Sequence, residues 1–181
     1  TTYILALGVN QYSNTSFNLN YAVPDAQIFG KVLSETLNRT ESRSQTEVIQ
    51  LKDEEATKSN VLLALSLLAG NHQNIPSSAP PVLQRIKAVQ PEDSLIIFFA
   101  GHGMAYESRF YLLPYDMGYK RARARVDEAG VQEITTHSIS DREFEQGLEG
   151  VDAVHIVMVL DACQSGQALE PEERRRGPMN S

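Results

Sequence analysis

The chain has 181 residues, of which 41% are hydrophobic and 22% charged, and a formal net charge of −7: the make-up of one globular domain able to bury a core. A single cysteine excludes an internal disulfide and thiolate-cluster zinc or iron–sulfur sites, and the acidic balance disfavours nucleic acid as a principal partner while favouring basic peptides. No apolar run approaches the roughly 20 residues that span a bilayer and no charged-then-apolar leader opens the chain, so a cytoplasmic domain with no membrane partner is the expectation.

Residues 3–9 read as a first strand, and the polar stretch 10–20 leads to a helix over 23–37. Pro24 suits a first helical turn, and Ala26, Phe29, Leu33 and Leu37 form one apolar stripe. Residues 47–51 alternate as a half-exposed strand. Thr57 caps a helix over 58–69, with Val61, Leu62, Leu65 and Leu68 on its buried face. After a loop rich in Asn, Ser and Pro, a short helix is predicted over 82–89, and residues 94–100 form the next strand. A short extended piece at 110–113 ends at Pro114. The polar segment 115–136, with Lys120, Arg121, Arg123 and Arg125, reads as an exposed, mobile loop. Ser140-Asp141-Arg142-Glu143 is a capping box that opens a helix to about Leu148, and a last strand follows over 155–160. The alternation of strands and helices argues for an α/β fold with a mainly parallel central sheet and helices on both faces.

Two strand endings carry the chemistry. Ser94-Leu95-Ile96-Ile97-Phe98-Phe99-Ala100 runs into Gly101-His102-Gly103, and His155-Ile156-Val157-Met158-Val159-Leu160 runs into Asp161-Ala162-Cys163-Gln164-Ser165-Gly166. Both are nearly continuous apolar runs, as expected of strands buried on two faces. Ligand chemistry in open parallel sheets gathers at the carboxyl ends of strands, so a histidine and the single cysteine stand where a reaction site is expected. A free thiol, with a pKa near ~8.5, needs a neighbour to become thiolate at neutral pH. His102 would orient that thiolate or protonate a leaving amine, and the N–H groups of Gly103 and Cys163 would bind an oxyanion. Taken singly, each residue has an ordinary alternative, an inert core cysteine or a structural histidine. Their matched positions favour a pair. Ser165 lacks the Gly-x-Ser-x-Gly elbow of a serine nucleophile.

Phe98-Phe99-Ala100-Gly101-His102-Gly103 and Val159-Leu160-Asp161-Ala162-Cys163-Gln164-Ser165-Gly166 closely resemble the two catalytic motifs of caspase-like cysteine peptidases, most strongly the metacaspase and orthocaspase branch. The resemblance extends to Tyr3-Ile4-Leu5-Ala6-Leu7-Gly8-Val9-Asn10-Gln11-Tyr12, to Asn20-Tyr21-Ala22-Val23-Pro24-Asp25-Ala26 and to Phe110-Tyr111-Leu112-Leu113-Pro114-Tyr115-Asp116. It implies a caspase-like three-layer sandwich over residues 1–181 and an endopeptidase acting through an acyl-enzyme. Cys163 would be the nucleophile, His102 the general acid or base, and Gly103 and Cys163 the oxyanion donors. Caspases place glutamine two residues before the cysteine and hold a substrate aspartate with arginines, whereas this chain has Asp161 there. In metacaspases that aspartate and one matching Asp25 line the pocket for the residue before the cut. Two carboxylates would pair with Arg or Lys, so protein or peptide substrates cleaved after Arg or Lys are expected. Position alone offers plainer roles: Asp25 favours a helix N-terminus electrostatically, and Asp161 can be a polar stop to a buried strand. Val23-Pro24 departs from the commoner family pattern before Asp25.

Arg174-Arg175-Arg176-Gly177 lies where caspase-like zymogens are often cut, which makes Arg176 a candidate self-cleavage site and Arg125 a second. Solvated charge runs are the commoner role of such stretches. The resemblance further implies a small subunit with additional strands. Nothing after Gly166 reads as a strand, so a partner chain or a C-terminal continuation is expected to cover the sheet edge beside Cys163. The chemistry itself requires no cofactor. Many metacaspases respond to calcium, and that question stays open, because Asp116, Asp127, Glu128 and Glu170 are scattered loop acids. Two other readings remain: a caspase fold serving as a catalytically inactive adaptor or scaffold, and a flavodoxin-like ligand-binding domain. Against the second, Val9-Asn10-Gln11-Tyr12 contains no glycine-rich phosphate loop.

Overall fold

The computed structural model describes residues 1–40 and 45–164, with Cys163 and Gln164 described by their backbone. Arg176, Glu170, Ser165 and Gly166 lie outside the described residues.

Three parallel pairings build the sheet. Strand β1 (Thr2–Gly8) lies between β2 (Thr46–Lys52) and β3 (Ser94–Tyr106), and β6 (His155–Gln164) pairs with the other side of β3. β1 ends opposite Ala100, and β3 continues beyond it. The side that β1 vacates is taken by β4 (Arg109–Leu112), which pairs antiparallel with residues 103–106 of β3, and β5 (Ile139–Ser140) pairs antiparallel with β4. The sheet is therefore mixed, with its parallel part holding the two apolar runs that the sequence displays. Hairpin geometry explains the reversal: only Glu107 and Ser108 separate β3 from β4, and Glu107 takes a positive φ of 54°.

Helices cover both faces. On one lies α1 (Ala22–Thr40), packed on β1, β2 and β3. On the other, α2 (Lys58–Leu68) and α4 (Asp141–Leu148) pack together over Leu5, Leu7, Leu95, Ile97 and Phe99, all buried. Burial of each such side chain contributes about 1.5–3 kcal/mol. Strand periodicity sends Ala6, Phe98 and Ala100 to the α1 face, where Ala22, Ala26 and Phe29 meet them. Thr57 caps α2 through its side-chain oxygen, and Ser140 and Glu143 form the reciprocal capping box that opens α4.

Two expected elements differ. The helix expected over 82–89 shrinks to a 3-10 turn, Leu83–Arg85, whose apolar Leu83, Ile86 and Val89 recur every three residues rather than at α spacing. Segment 115–136 is not a mobile loop. It contains a 3-10 turn (Arg123–Arg125) and helix α3 (Glu128–His137), capped by Asp127 and anchored through buried Val131 and Ile134. Arg121 pairs with Asp127 through its two terminal guanidinium nitrogens, at 2.9 and 2.7 Å.

Gly8 fixes how closely α1 approaches the strand ends. A Cβ there would stand 2.9 Å from the Ala22 carbonyl oxygen and 3.0 Å from the Val23 Cα, both backbone atoms. We predict that Gly8→Ala lifts the start of α1 and lowers stability by about 1–3 kcal/mol. Urea unfolding checks this, and an unchanged midpoint would show that the helix is not seated by this contact.

Candidate active site

β3 and β6 pair in unbroken parallel register over ten residues, from Ser94 opposite His155 to Gly103 opposite Gln164. In that register His102 stands opposite Cys163, and Ala100 opposite Asp161. Neighbouring strands lie about 4.8 Å apart, so the backbones of His102 and Cys163 are adjacent at the ends of β3 and β6, with His102 in the alternation of Phe98 and Ala100 on the α1 face. Asp161, two residues before Cys163, shares that face and is exposed. Ala162 points to the other, where it packs on the main core.

Asp25 approaches the same place from α1. Gly30 and Ser34 face β2, where they meet Val48 and Thr46, while the Phe29 ring stacks on Phe98 of β3 at 4.3 Å between centroids. Asp25 lies one turn before Phe29, so it sits on the flank of α1 turned toward β3 and β6. α1 runs opposite to β3, and one turn back along it matches the two-residue step from Phe98 to Ala100. Asp25 is thus level with the Ala100–Asp161 row. The two acids occupy one face at one height, beside the row of His102 and Cys163.

The His102 ring is buried, with 2% of the residue exposed, between Tyr12 and Phe17. Its Nε2 lies 2.8 Å from the Phe17 carbonyl oxygen. A carbonyl only accepts, so Nε2 carries the proton, and Nδ1 holds the lone pair of the neutral ring. The backbone N–H of His102 donates to the Tyr12 hydroxyl oxygen at 2.8 Å. Burial pushes the imidazole pKa down to about 4; the Phe17 carbonyl opposes that shift and the Arg123 charge adds to it. Burial also raises the Tyr12 phenol well above its usual range, keeping it neutral. Burial thus favours the neutral form of the His102 ring, with its proton on Nε2 toward Phe17.

Gly103 leaves no room for a side chain: a Cβ would lie 2.5 Å from Phe110 Cζ and 3.0 Å from the Ala162 Cβ. Tyr12 and Phe17 are the contributors that sequence reasoning missed as site residues. Tyr12 was visible in a shared motif but not as a hydrogen-bond partner, and Phe17 acts through its backbone, which carries no signature in residue type. Arg125 is in the 3-10 turn, and its carbonyl accepts from the Tyr119 hydroxyl at 2.9 Å.

Among the described residues, no group of three or more His, Cys, Asp or Glu converges as a metal site. Asp116 accepts the Lys58 N–H at the start of α2, Asp127 caps α3, and Glu128 lies in the first turn of α3.

Comparison with known proteins decides the family. The model of the metacaspase, peptidase C14 domain matches residues 4–172. The chain belongs to the metacaspase family. It is thus a caspase-like cysteine peptidase domain by family, and the sandwich built around its mixed sheet agrees. Among solved structures, protein GSU0716 from Geobacter sulfurreducens superposes with a TM-score of 0.54 at 15% identity, over 91% of this chain and 51% of that one. That likeness concerns the fold, and the metacaspase domain spans about half the length of that structure. No curated protein gives a significant match. Among the described residues no helix is long and apolar enough to cross a membrane.

The depressed His102 pKa fixes the sign of a pH effect. The unfolded ring takes up a proton near its ordinary value of 6.5, and the folded ring only near 4. Between those values the unfolded state binds more protons, so this group costs stability as pH falls through the window, by up to ~1.4 kcal/mol per pH unit. We expect His102→Gln, which stays neutral and retains an amide donor for Phe17, to flatten that part of the profile. Parallel parent and variant profiles from urea melts between pH 4 and 7 would contradict it.

Proposed function

We propose that this metacaspase domain is the catalytic part of an endopeptidase that cleaves after Arg or Lys through a dyad of Cys163 and His102. The observation that carries the reading is the β3–β6 register, which sets the two residues opposite each other at the strand ends. His102, neutral and protonated on Nε2, offers Nδ1 to take the thiol proton. The thiolate then attacks the carbonyl carbon of the scissile peptide. The N–H groups of Gly103 and Cys163 receive the negative charge that develops on its oxygen. The tetrahedral adduct collapses as His102 returns the proton to the leaving amine, leaving a thioester on Cys163. Water, deprotonated by the same ring, hydrolyses that ester and restores the thiol.

Asp25 and Asp161, level with each other on the α1 face, are the proposed pocket for the residue before the cut. A guanidinium would bind them through charge-assisted, bidentate hydrogen bonds, and an ammonium as a point charge. A complementary segment, either a separate small subunit or a later part of the same protein, is proposed to pair with β6. In support, Ile156, Val157, Met158, Val159 and Leu160 are each 37–47% exposed, on both faces of a strand that pairs only with β3 among the described residues. Family membership displaces the flavodoxin-like alternative.

The test is turnover of fluorogenic peptides ending in Arg, Lys or Asp by the full-length protein, with and without calcium. Cleavage after Arg or Lys is expected, with kcat lowered at least about 10³-fold by Cys163→Ala. Asp161→Asn should lower kcat/KM for the Arg peptide by roughly 10- to 100-fold. Cleavage after Asp instead would sink the pocket and keep the dyad. No cleavage in any condition would leave the adaptor or scaffold reading in its place.

A further inference from the structure

The carbonyl that holds His102 belongs to a three-residue 3-10 turn, Thr15–Phe17, too short to hold its own position. Its support comes from a segment about a hundred residues away. Asn14 caps the turn: its Oδ1 accepts from the Ser16 N–H at 3.1 Å and from the Ser16 hydroxyl at 2.7 Å. Its Nδ2 donates to the Tyr119 carbonyl at 2.9 Å and the Arg121 carbonyl at 2.7 Å. That orientation is unambiguous, because a flipped amide would set its oxygen against two carbonyl oxygens. Arg123 closes the other side. Its N–H donates to the Ser16 hydroxyl oxygen at 3.0 Å, and its guanidinium lies 5.6 Å from the centre of the Phe17 ring. The Phe17 ring in turn meets Tyr119 edge-on at 6.1 Å and His102 at 6.0 Å.

We propose that Asn14 and Arg123 are positioning residues for His102: by clasping residues 14–17 to residues 119–125 they hold the Phe17 carbonyl on Nε2 and thereby fix the ring's tautomer and orientation. The proposal deepens the dyad reading and relies on it for its catalytic meaning, while its structural content stands without it. The segment that carries the self-cleavage candidate Arg125 then has a second role. Left intact, it holds the histidine in place.

The variants separate clasping from capping. Asn14→Asp keeps a carboxylate oxygen for Ser16, and Asp is as good a cap as Asn, but it removes both donors to Tyr119 and Arg121. Arg123→Gln removes the cation over Phe17 and leaves the cap intact, whereas Arg123→Lys retains a cation. The readout is nitrogen NMR of the His102 ring in the full-length protein. We expect the Nε2–H form with a slowly exchanging proton in the parent. In Asn14→Asp and Arg123→Gln, exchange of that proton should rise about fivefold or more, through loss of both Asn14 donors in the first and of the cation over the Phe17 ring in the second. Arg123→Lys should recover most of the parental behaviour. In peptide turnover the same two variants should lower kcat and leave KM nearly unchanged. A parental tautomer and exchange rate in either folded variant would overturn the proposal. NMR needs no activity, so an inactive parent would refute the dyad reading and leave this one decidable. Both variants spare the cap, so misfolding of one still leaves a decisive reading from the other.

Discussion

The parallel pairing of β3 with β6 is the constraint on which the site depends. Side chains alternate along a strand with a period of two, so a slip of one residue would move His102 off the face that carries Cys163. What prevents the slip is packing. Leu95, Ile97 and Phe99 are buried among the core residues under α2, and Phe98 is stacked against Phe29 on the opposite face. Shifting β3 would expose the first set and drive the second into the wrong layer, at a cost of several side-chain burials of about 1.5–3 kcal/mol each. The same register aligns Asp161 with Ala100, so one structural decision sets both the proposed reacting pair and the acidic face beside it.

A second constraint acts on the histidine alone. A ring with 2% of its residue exposed does not accept a charge readily, and burial outweighs the opposing hydrogen bond that Nε2 donates to the Phe17 carbonyl. The result is a ring that favours its neutral form, with the proton on Nε2. Tyr12 works in the same direction, holding the His102 backbone N–H from the loop that leaves β1. The loops after β1 and β4 therefore act as a lining for one side chain, and their hydrogen bonds link stretches far apart in sequence.

How much of this was legible depended on whether the information lay in one segment or between two. The run ending at His102 was readable because a strand buried on two faces must be apolar almost throughout, and the polar residues that stop it stand out. The run ending at Cys163 has the same pattern, but its residues 156–160 are exposed among the described residues, contrary to the burial its composition implied. Ser140 and Glu143 announced their helix because a capping box is local chemistry. The antiparallel turn into β4 was hidden, since Glu107 and Ser108 lack the Asn-Gly or Gly pattern that usually marks a two-residue hairpin. Helix α3 was missed because Gly130, Thr135 and Thr136 weaken its propensity and only Val131 and Ile134 anchor it. The Phe17 carbonyl could not be read at all, as any residue supplies one. Asp25 and Asp161 entered through family resemblance, and it is the seating of α1 on Gly8 and Phe98 that brings them level.

The central claim is that His102 and Cys163 form one coupled acid–base unit. Cys163 is the single cysteine of these 181 residues, so the part of the iodoacetamide reaction that is lost in Cys163→Ala reads that thiol, and its pH dependence can be followed. The account predicts that, in the full-length protein, the alkylation rate follows a titration that shifts toward the ordinary thiol value, near ~8.5, when His102 is replaced by alanine. Superimposable rate profiles for parent and His102→Ala would contradict it, because they would show that the histidine opposite Cys163 has no influence on its thiol.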